Sequence, residues 1–180
     1  MKFDQSSALC YVFAYKEGLL SAFGHDLRIA VTSFVVEVEE DAGSVNARFD
    51  AGSLHADCAM VDGAARPDIL TARDKKEIDE NIIKSVLETD TYKDIVLSSS
   101  SVTEEDSSYN VKAGLTVHGR TREVSFTVRR EDNYQIADFL LHLPDFDIKP
   151  FSALFGMIKI KPDILIRVMI PRIPGENGFA

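Results

Sequence analysis

Residues Tyr109 to Arg130 read YNVKAGLTVHGRTREVSFTVRR. Tyr109, Val111, Ala113, Leu115 and Val117 alternate with Asn110, Lys112, Gly114, Thr116 and His118. After a short break, Val124, Phe126 and Val128 alternate with Glu123, Ser125, Thr127 and Arg129. A period of two sends successive side chains to opposite faces. Two such runs split by a few residues containing Gly119 therefore predict a β-hairpin with one wet face and one dry face. The Val and Thr content suits a pleated, half-buried surface. What the dry face covers (packed core, partner or ligand) decides what this protein is.

Working outward, Ala8 to Lys16 is a predicted strand. Leu27 to Glu39 is another, with a change of parity near Thr32-Ser33: Leu27, Ile29 and Val31 keep one face, Phe34, Val36 and Val38 the other. Such a switch implies a bulge or a bend where one strand hands over to the next. Glu39 to Ser44 reads as a turn, and Val45 to Ala51 alternates again. Ser53 to Ile69 reads as irregular, with loop signals at Asp57, Asp62-Gly63 and Pro67-Asp68. Thr71 with Asp74 forms a capping-box pattern ahead of a helix, whose Ile78, Ile82 and Val86, flanked by Ile83 and Leu87, make one apolar stripe. Its other face is charged, so this helix is expected to cover the body. Ile95 to Val102, Tyr134 to Leu143 and the alternating parts of Met157 to Ile170 complete the predicted strands. Phe151 to Phe155 is an apolar loop or short turn.

This gives about eight or nine strands on hairpin-length connections and one long helix. The expected fold is mainly β: a single antiparallel barrel of about eight strands with one covering helix. Closure removes exposed sheet edges, and eight strands enclose either packed side chains or one slender ligand.

The bulk properties narrow the function. The chain has 180 residues, enough for one domain that buries about 70% of the surface its unfolded form exposes. The domain is expected over residues 1–173, with a Pro/Gly-rich flexible tail at 174–180. A net charge of −9 repels phosphate backbones and anionic membranes, so nucleic acid is not an expected partner. No run approaches the ~20 apolar residues of a spanning helix. MKFDQSSALC lacks the basic and apolar regions of a secretory signal, so the expected compartment is the cytoplasm. A mis-called start would make it the periplasm. Cys10 and Cys58 are expected as reduced, buried thiols.

Several segments together resemble the YceI-like family of lipid-binding proteins. They are Gly24-His25-Asp26-Leu27-Arg28, Asp50-Ala51-Gly52-Ser53-Leu54, the helix running to Asp90-Thr91-Tyr92, and Gly114-Leu115-Thr116-Val117-His118-Gly119 with Thr121 and Val124. Ser152-Ala153-Leu154-Phe155-Gly156 with Lys159 and Lys161 resembles one branch of the family. The resemblance covers nearly the whole chain in order. It implies a lipocalin-like barrel with an elongated apolar pocket for a polyisoprenoid or similar amphiphile. It also admits a homodimer, since the family has dimeric members.

The strand parities nominate Phe13, Ile29, Val31, Phe34, Val36, Val111, Leu115, Val117, Val124, Phe126 and Val128 as pocket lining. His25, Asp26, Arg28 and His118 are candidates for the pocket mouth or a ligand headgroup. For Gly24-His25-Asp26 and for His118-Gly119 a purely structural turn is the competing reading. Arg120, Arg122, Arg129 and Arg130 are either solvated surface charge or the cations a prenyl phosphate would need, and Lys159 and Lys161 are read the same way. No Gly-x-Ser-x-Gly elbow and no His pair at helical metal spacing is present. His55, Asp57 and Cys58 stand close together but have no second half to complete a metal site. The expectation is therefore a non-enzymatic carrier of a long-chain isoprenoid or similar lipid, with no cofactor and no metal. Each methylene moved from water into an apolar slot contributes about 0.8 kcal/mol, so a long chain needs no polar constellation to bind. The alternatives are an enzyme acting on an amphiphile through His25 or His118, and a ligand-free dimer that meets its partner through Phe151 to Phe155.

Overall fold

The computed structural model describes residues 1–17, 25–39, 42–105, 108–153 and 158–172. In chain order the strands begin with β1 (Lys2–Asp4), β2 (Leu9–Ala14), β3 (Lys16–Glu17), β4 (Asp26–Val31) and β5 (Phe34–Glu39). Then come β6 (Ser44–Asp50), β7 (Leu54–Val61) and β8 (Ala64–Arg66), followed by the helix α1 (Ala72–Asn81) with a wider turn at Ile82–Val86. The chain continues through β9 (Asp94–Glu105), β10 (Ser108–Val117), β11 (Arg120–Glu131) and β12 (Tyr134–His142). It ends with β13 (Ser152–Ala153), β14 (Ile158–Ile160) and β15 (Asp163–Pro171). Twelve strands make one curled antiparallel sheet in the order β1-β5-β6-β9-β10-β11-β12-β15-β2-β4-β7-β8, a half-barrel, while β13, β14 and β3 form a small second sheet.

The quoted stretch is β10 and β11, paired from Tyr109 opposite Val128 to Val117 opposite Arg120. Its turn is the dipeptide His118-Gly119, both residues at positive φ (50° and 71°). That backbone matches the twist of the flanking strands and makes a two-residue hairpin. Val111, Ala113, Leu115 and Val117 are buried on its inner face.

The expected eight strands are corrected to twelve in the main sheet. The parity switch at Thr32-Ser33 divides one long run into β4 and β5, and Ala51–Ser53 divides the next into β6 and β7. The two bends lie side by side. Thr32 N–H donates to the Ser53 carbonyl at 2.9 Å, and Asp50 N–H donates to the Ser33 carbonyl at 3.0 Å. The β4–β7 ladder thus runs on into the β5–β6 ladder, and the sheet curls there. Ser53 is a buried polar residue whose hydroxyl accepts from Ser33 N–H at 3.1 Å and donates to the Asp50 carbonyl at 2.8 Å. The short strands β1 and β8 add the last two.

Ser53 to Ile69 is also corrected, since it holds β7 and β8. Asp62-Gly63, at φ 50° and 79°, is their hairpin turn. The inner face of β7 is Leu54, Ala56 and Cys58. Ala and Cys carry a weak strand signal, which hid the alternation.

The helix begins with the predicted capping box, Asp74 N–H donating to Thr71 Oγ1 at 3.2 Å and Thr71 N–H to the Asp74 carboxylate at 2.9 Å. The Thr71 hydroxyl and amide hold the Asp74 carboxyl below the usual carboxylate range. Asp79 ties the helix to β7, accepting from Ala56 N–H at 2.6 Å and lying 3.1 Å from His55 Nδ1. Of the apolar stripe, Ile82 and Val86 pack against the core and Leu87 is buried in it. The helix is a cover, as its charged outer face implies. Leu19 to Gly24, Glu40-Asp41, Leu154 to Met157 and the tail at 174–180 carry readings that lie outside the described residues.

Candidate functional site

Inside the curl lies an apolar cavity of about 170 Å³. Its wall on β10 runs from Tyr109 to Val117, about 27 Å of strand at roughly 3.4 Å per residue. The facing parities of β12 (Gln135, Ala137, Phe139, Leu141) and β15 (Ile164, Ile166, Val168, Ile170) form a second long wall. Cys10, Val12, Val31, Val36, Val38, Val45, Ala47 and Phe49 supply the opposite side. Phe126 and Phe139 stack across β11 and β12 with ring centroids 4.9 Å apart, and both face the cavity. Leu54, Leu87, Ile95, Leu97, Val102, Leu143 and Ile148 add to the lining. Burial pushes the Cys10 thiol up to about 12, so this wall residue is neutral at ordinary pH.

Polar atoms gather at the Tyr109 end. The Tyr109 hydroxyl accepts a hydrogen bond from Arg130, whose guanidinium also lies over the Tyr109 ring, 4.9 Å from its centroid. Arg130 also pairs with Glu104 at 2.9 Å. Gln135, opposite Arg130 on the neighbouring strand, faces the cavity beside them.

Of the expected lining, Val31, Val36, Val111, Leu115, Val117, Phe126 and Val128 are on the wall. Phe13, Ile29, Phe34 and Val124 are not, and this is corrected. Cys10 and Val12 take the inward parity of β2, which turns Phe13 outward beneath Arg167 at 5.7 Å. The register shifts between Arg28 and Ile29, and Ile29 packs in the core away from the cavity. Phe34 is stacked behind Phe49 at 5.8 Å, leaving Phe49 on the wall. Val124 is half-buried and packs against the core from outside the cavity. Gln135, Leu87 and the apolar face of β15 line the cavity without having been expected there. The β15 alternation was visible in the sequence, and Gln135 shares the parity of Ala137, Phe139 and Leu141.

None of the four mouth or headgroup candidates is on the wall. His25 is half-buried just ahead of β4. Asp26 accepts from Lys16 N–H at 2.9 Å. Arg28 pairs with Asp57 at 2.6 Å and lies over the Tyr11 ring at 5.0 Å, on the outer face. His118 lies against Tyr92, the rings tilted at 47° with centroids 4.0 Å apart, and its Nε2 lies 3.7 Å from the Glu88 carboxylate. Both of its ring nitrogens are buried without a hydrogen-bond partner among the described residues.

The arginines have partners within the protein. Arg120 pairs with Asp147, Arg129 with Asp138 and Glu131, and Arg130 with Glu104. Arg122 donates to the Thr121 carbonyl at 3.1 Å. Lys159 and Lys161 are exposed. His55 and Asp57 of the suspected metal cluster face Asp79 and Arg28 respectively. Among the described residues no three His, Cys, Asp or Glu side chains converge on one point.

Comparison with known proteins agrees with this geometry. The chain covers 94% of itself and 99% of BcnA from Burkholderia cenocepacia, with a TM-score of 0.65 and 14% identity. It also superposes on the YCEI protein of Campylobacter jejuni with a TM-score of 0.57 and 8% identity, over 83% of this chain and 86% of that one. At these identities the likeness is one of fold. None of the curated proteins matches the sequence. The model of the YceI-like domain matches residues 13–170, and on that match the chain belongs to the YceI-like family.

Proposed function

We propose that this protein is a carrier that holds the chain of a long isoprenoid or comparable amphiphilic lipid inside the curled sheet. The observation that carries the reading is the cavity, whose lining along β10, β12 and β15 is almost entirely hydrocarbon. An apolar cavity stays dry and accepts an apolar guest, and each methylene buried adds about 0.8 kcal/mol. Membership of the family is consistent with such a cargo. A carrier is favoured over an enzyme because His25 and His118, the proposed bases, both stand off the cavity wall. The test is extraction of the purified protein with organic solvent, followed by mass spectrometry and by uptake of long-chain isoprenoids. Co-purified or acquired lipid at near-stoichiometric amounts is the expected result. Absence of both co-purified lipid and uptake would overturn the proposal.

A further inference from the structure

Gln135 is out of character with its surroundings. Its neighbours on the inward parity of β12, Ala137, Phe139 and Leu141, are all apolar, and all four line the cavity. Gln135 is half-buried, so its amide is not sealed within the hydrocarbon wall. No hydrogen bond joins the Gln135 side chain to any described residue, although its backbone is paired in register with Arg130 and Ile170. It therefore presents two N–H donors and a carbonyl acceptor to whatever occupies the cavity.

The Arg130 charge at this end is already balanced. Arg130 is held by Glu104 at 2.9 Å and by the Tyr109 hydroxyl. Arg172, by the turn between β11 and β12, is exposed, stands off the cavity wall and donates to the Asp132 carbonyl at 3.4 Å. A phosphate arriving here would have to displace Glu104 from Arg130 and then lie against that carboxylate in an apolar setting. An uncharged oxygen needs no such exchange, since the Gln135 amide can donate to it or accept from it directly.

We propose that the Tyr109–Gln135 end of the cavity is the head site, and that it selects an uncharged, oxygen-bearing head (a hydroxyl or carbonyl) against a phosphorylated one, with Gln135 as the group that binds it. This rests on the carrier reading and adds to it the polarity, the location and the chemical class of the head.

Three probes of matched saturated chain separate the possibilities: phytanol, phytanyl monophosphate and the headless hydrocarbon phytane. Each is titrated into the full chain against a bound fluorescent polyene. The alcohol is expected to bind roughly tenfold tighter than the hydrocarbon, the worth of one made hydrogen bond, and the phosphate more weakly than the alcohol. In Gln135→Leu the advantage of the alcohol over the hydrocarbon should vanish while hydrocarbon binding is kept or improved. Gln135→Met serves the same purpose if the leucine variant melts at a lower temperature than the parent. A phosphate that binds tighter than the alcohol, an alcohol no better than the hydrocarbon, or an alcohol advantage that survives both substitutions would overturn the head site and leave the carrier standing. Failure of all three probes to displace the polyene would overturn the carrier reading itself.

Discussion

A methyl group has no place at Gly119. A Cβ built there would stand 2.9 Å from Cε1 of Tyr92, on a residue whose φ is +71°. Tyr92 is itself held against His118, so the ring is not free to swing away. Gly119→Ala is expected to destabilise the fold by about 1–3 kcal/mol, combining left-handed strain with the displaced ring. Urea unfolding monitored by far-UV circular dichroism would measure it, and an unchanged midpoint would contradict the described turn. His118 and Gly119 are thus both committed to the hairpin and its contact with the covering segment. The structure gives the Leu-Thr-Val-His-Gly segment a conformational reason that does not depend on a ligand touching His118.

At the scale of elements, the helix is attached to the sheet through few polar groups. Asp79 is the main one, since it satisfies the Ala56 amide on β7 and faces His55. Leu87, at the end of the same covering segment, reaches the cavity wall. Asp79→Ala should therefore loosen the cover without melting the sheet, because local opening free energies lie below the global one. Hydrogen exchange is expected to rise over residues 72–87 and to stay unchanged over β10 and β11. Equal protection loss in both places would show that helix and sheet open as one unit.

Across the outside of the sheet runs a belt of paired charge and aromatic rings: Arg129, Asp138 and Arg167, then Phe13 and Tyr11, then Arg28 and Asp57. Burial raises the Asp138 carboxyl, but the Arg167 and Arg129 guanidiniums outweigh it and hold the group below its usual 3.8. A carboxyl lowered by folding stabilises the native state above its unfolded value, and that stability is lost as pH falls through the folded value. The whole molecule should therefore lose stability below pH 3.8 by an amount that Asp138→Asn makes smaller, even though the variant is weaker at neutral pH. Thermal melts across that acid range give the comparison, and parallel wild-type and variant slopes would contradict it. The interior makes its own whole-molecule prediction. Ala137 lies on the wall between Gln135 and Phe139, so Ala137→Phe fills cavity volume with the protein's own atoms. Lipid uptake should fall at least tenfold while melting temperature holds or rises, since closing a void removes its cost. Undiminished uptake would place the cargo elsewhere.

Local pattern determined the hairpin of β10 and β11, the bend at Thr32-Ser33, the capped helix and the family. Each is written in consecutive residues: alternation, a change of parity, Thr71 with Asp74, and ordered segments such as Gly114 to Gly119. The same alternation showed that β15 had an apolar face. Only the tertiary structure decided how those faces meet. Phe13 and Phe34 are as apolar as Val36 and Phe49, yet the register of β2 and the stacking at the bend send the first two away from the cavity. The hydrogen bonds of Ser53 and Thr32 join ladders that lie twenty residues apart, and Gln135 comes to Tyr109 and Arg130 only through the pairing of β10, β11 and β12. Periodicity sets which side chains share a face, because that depends on backbone geometry alone. Which face becomes a wall depends on the curl of the sheet, a property of strands paired across the whole chain.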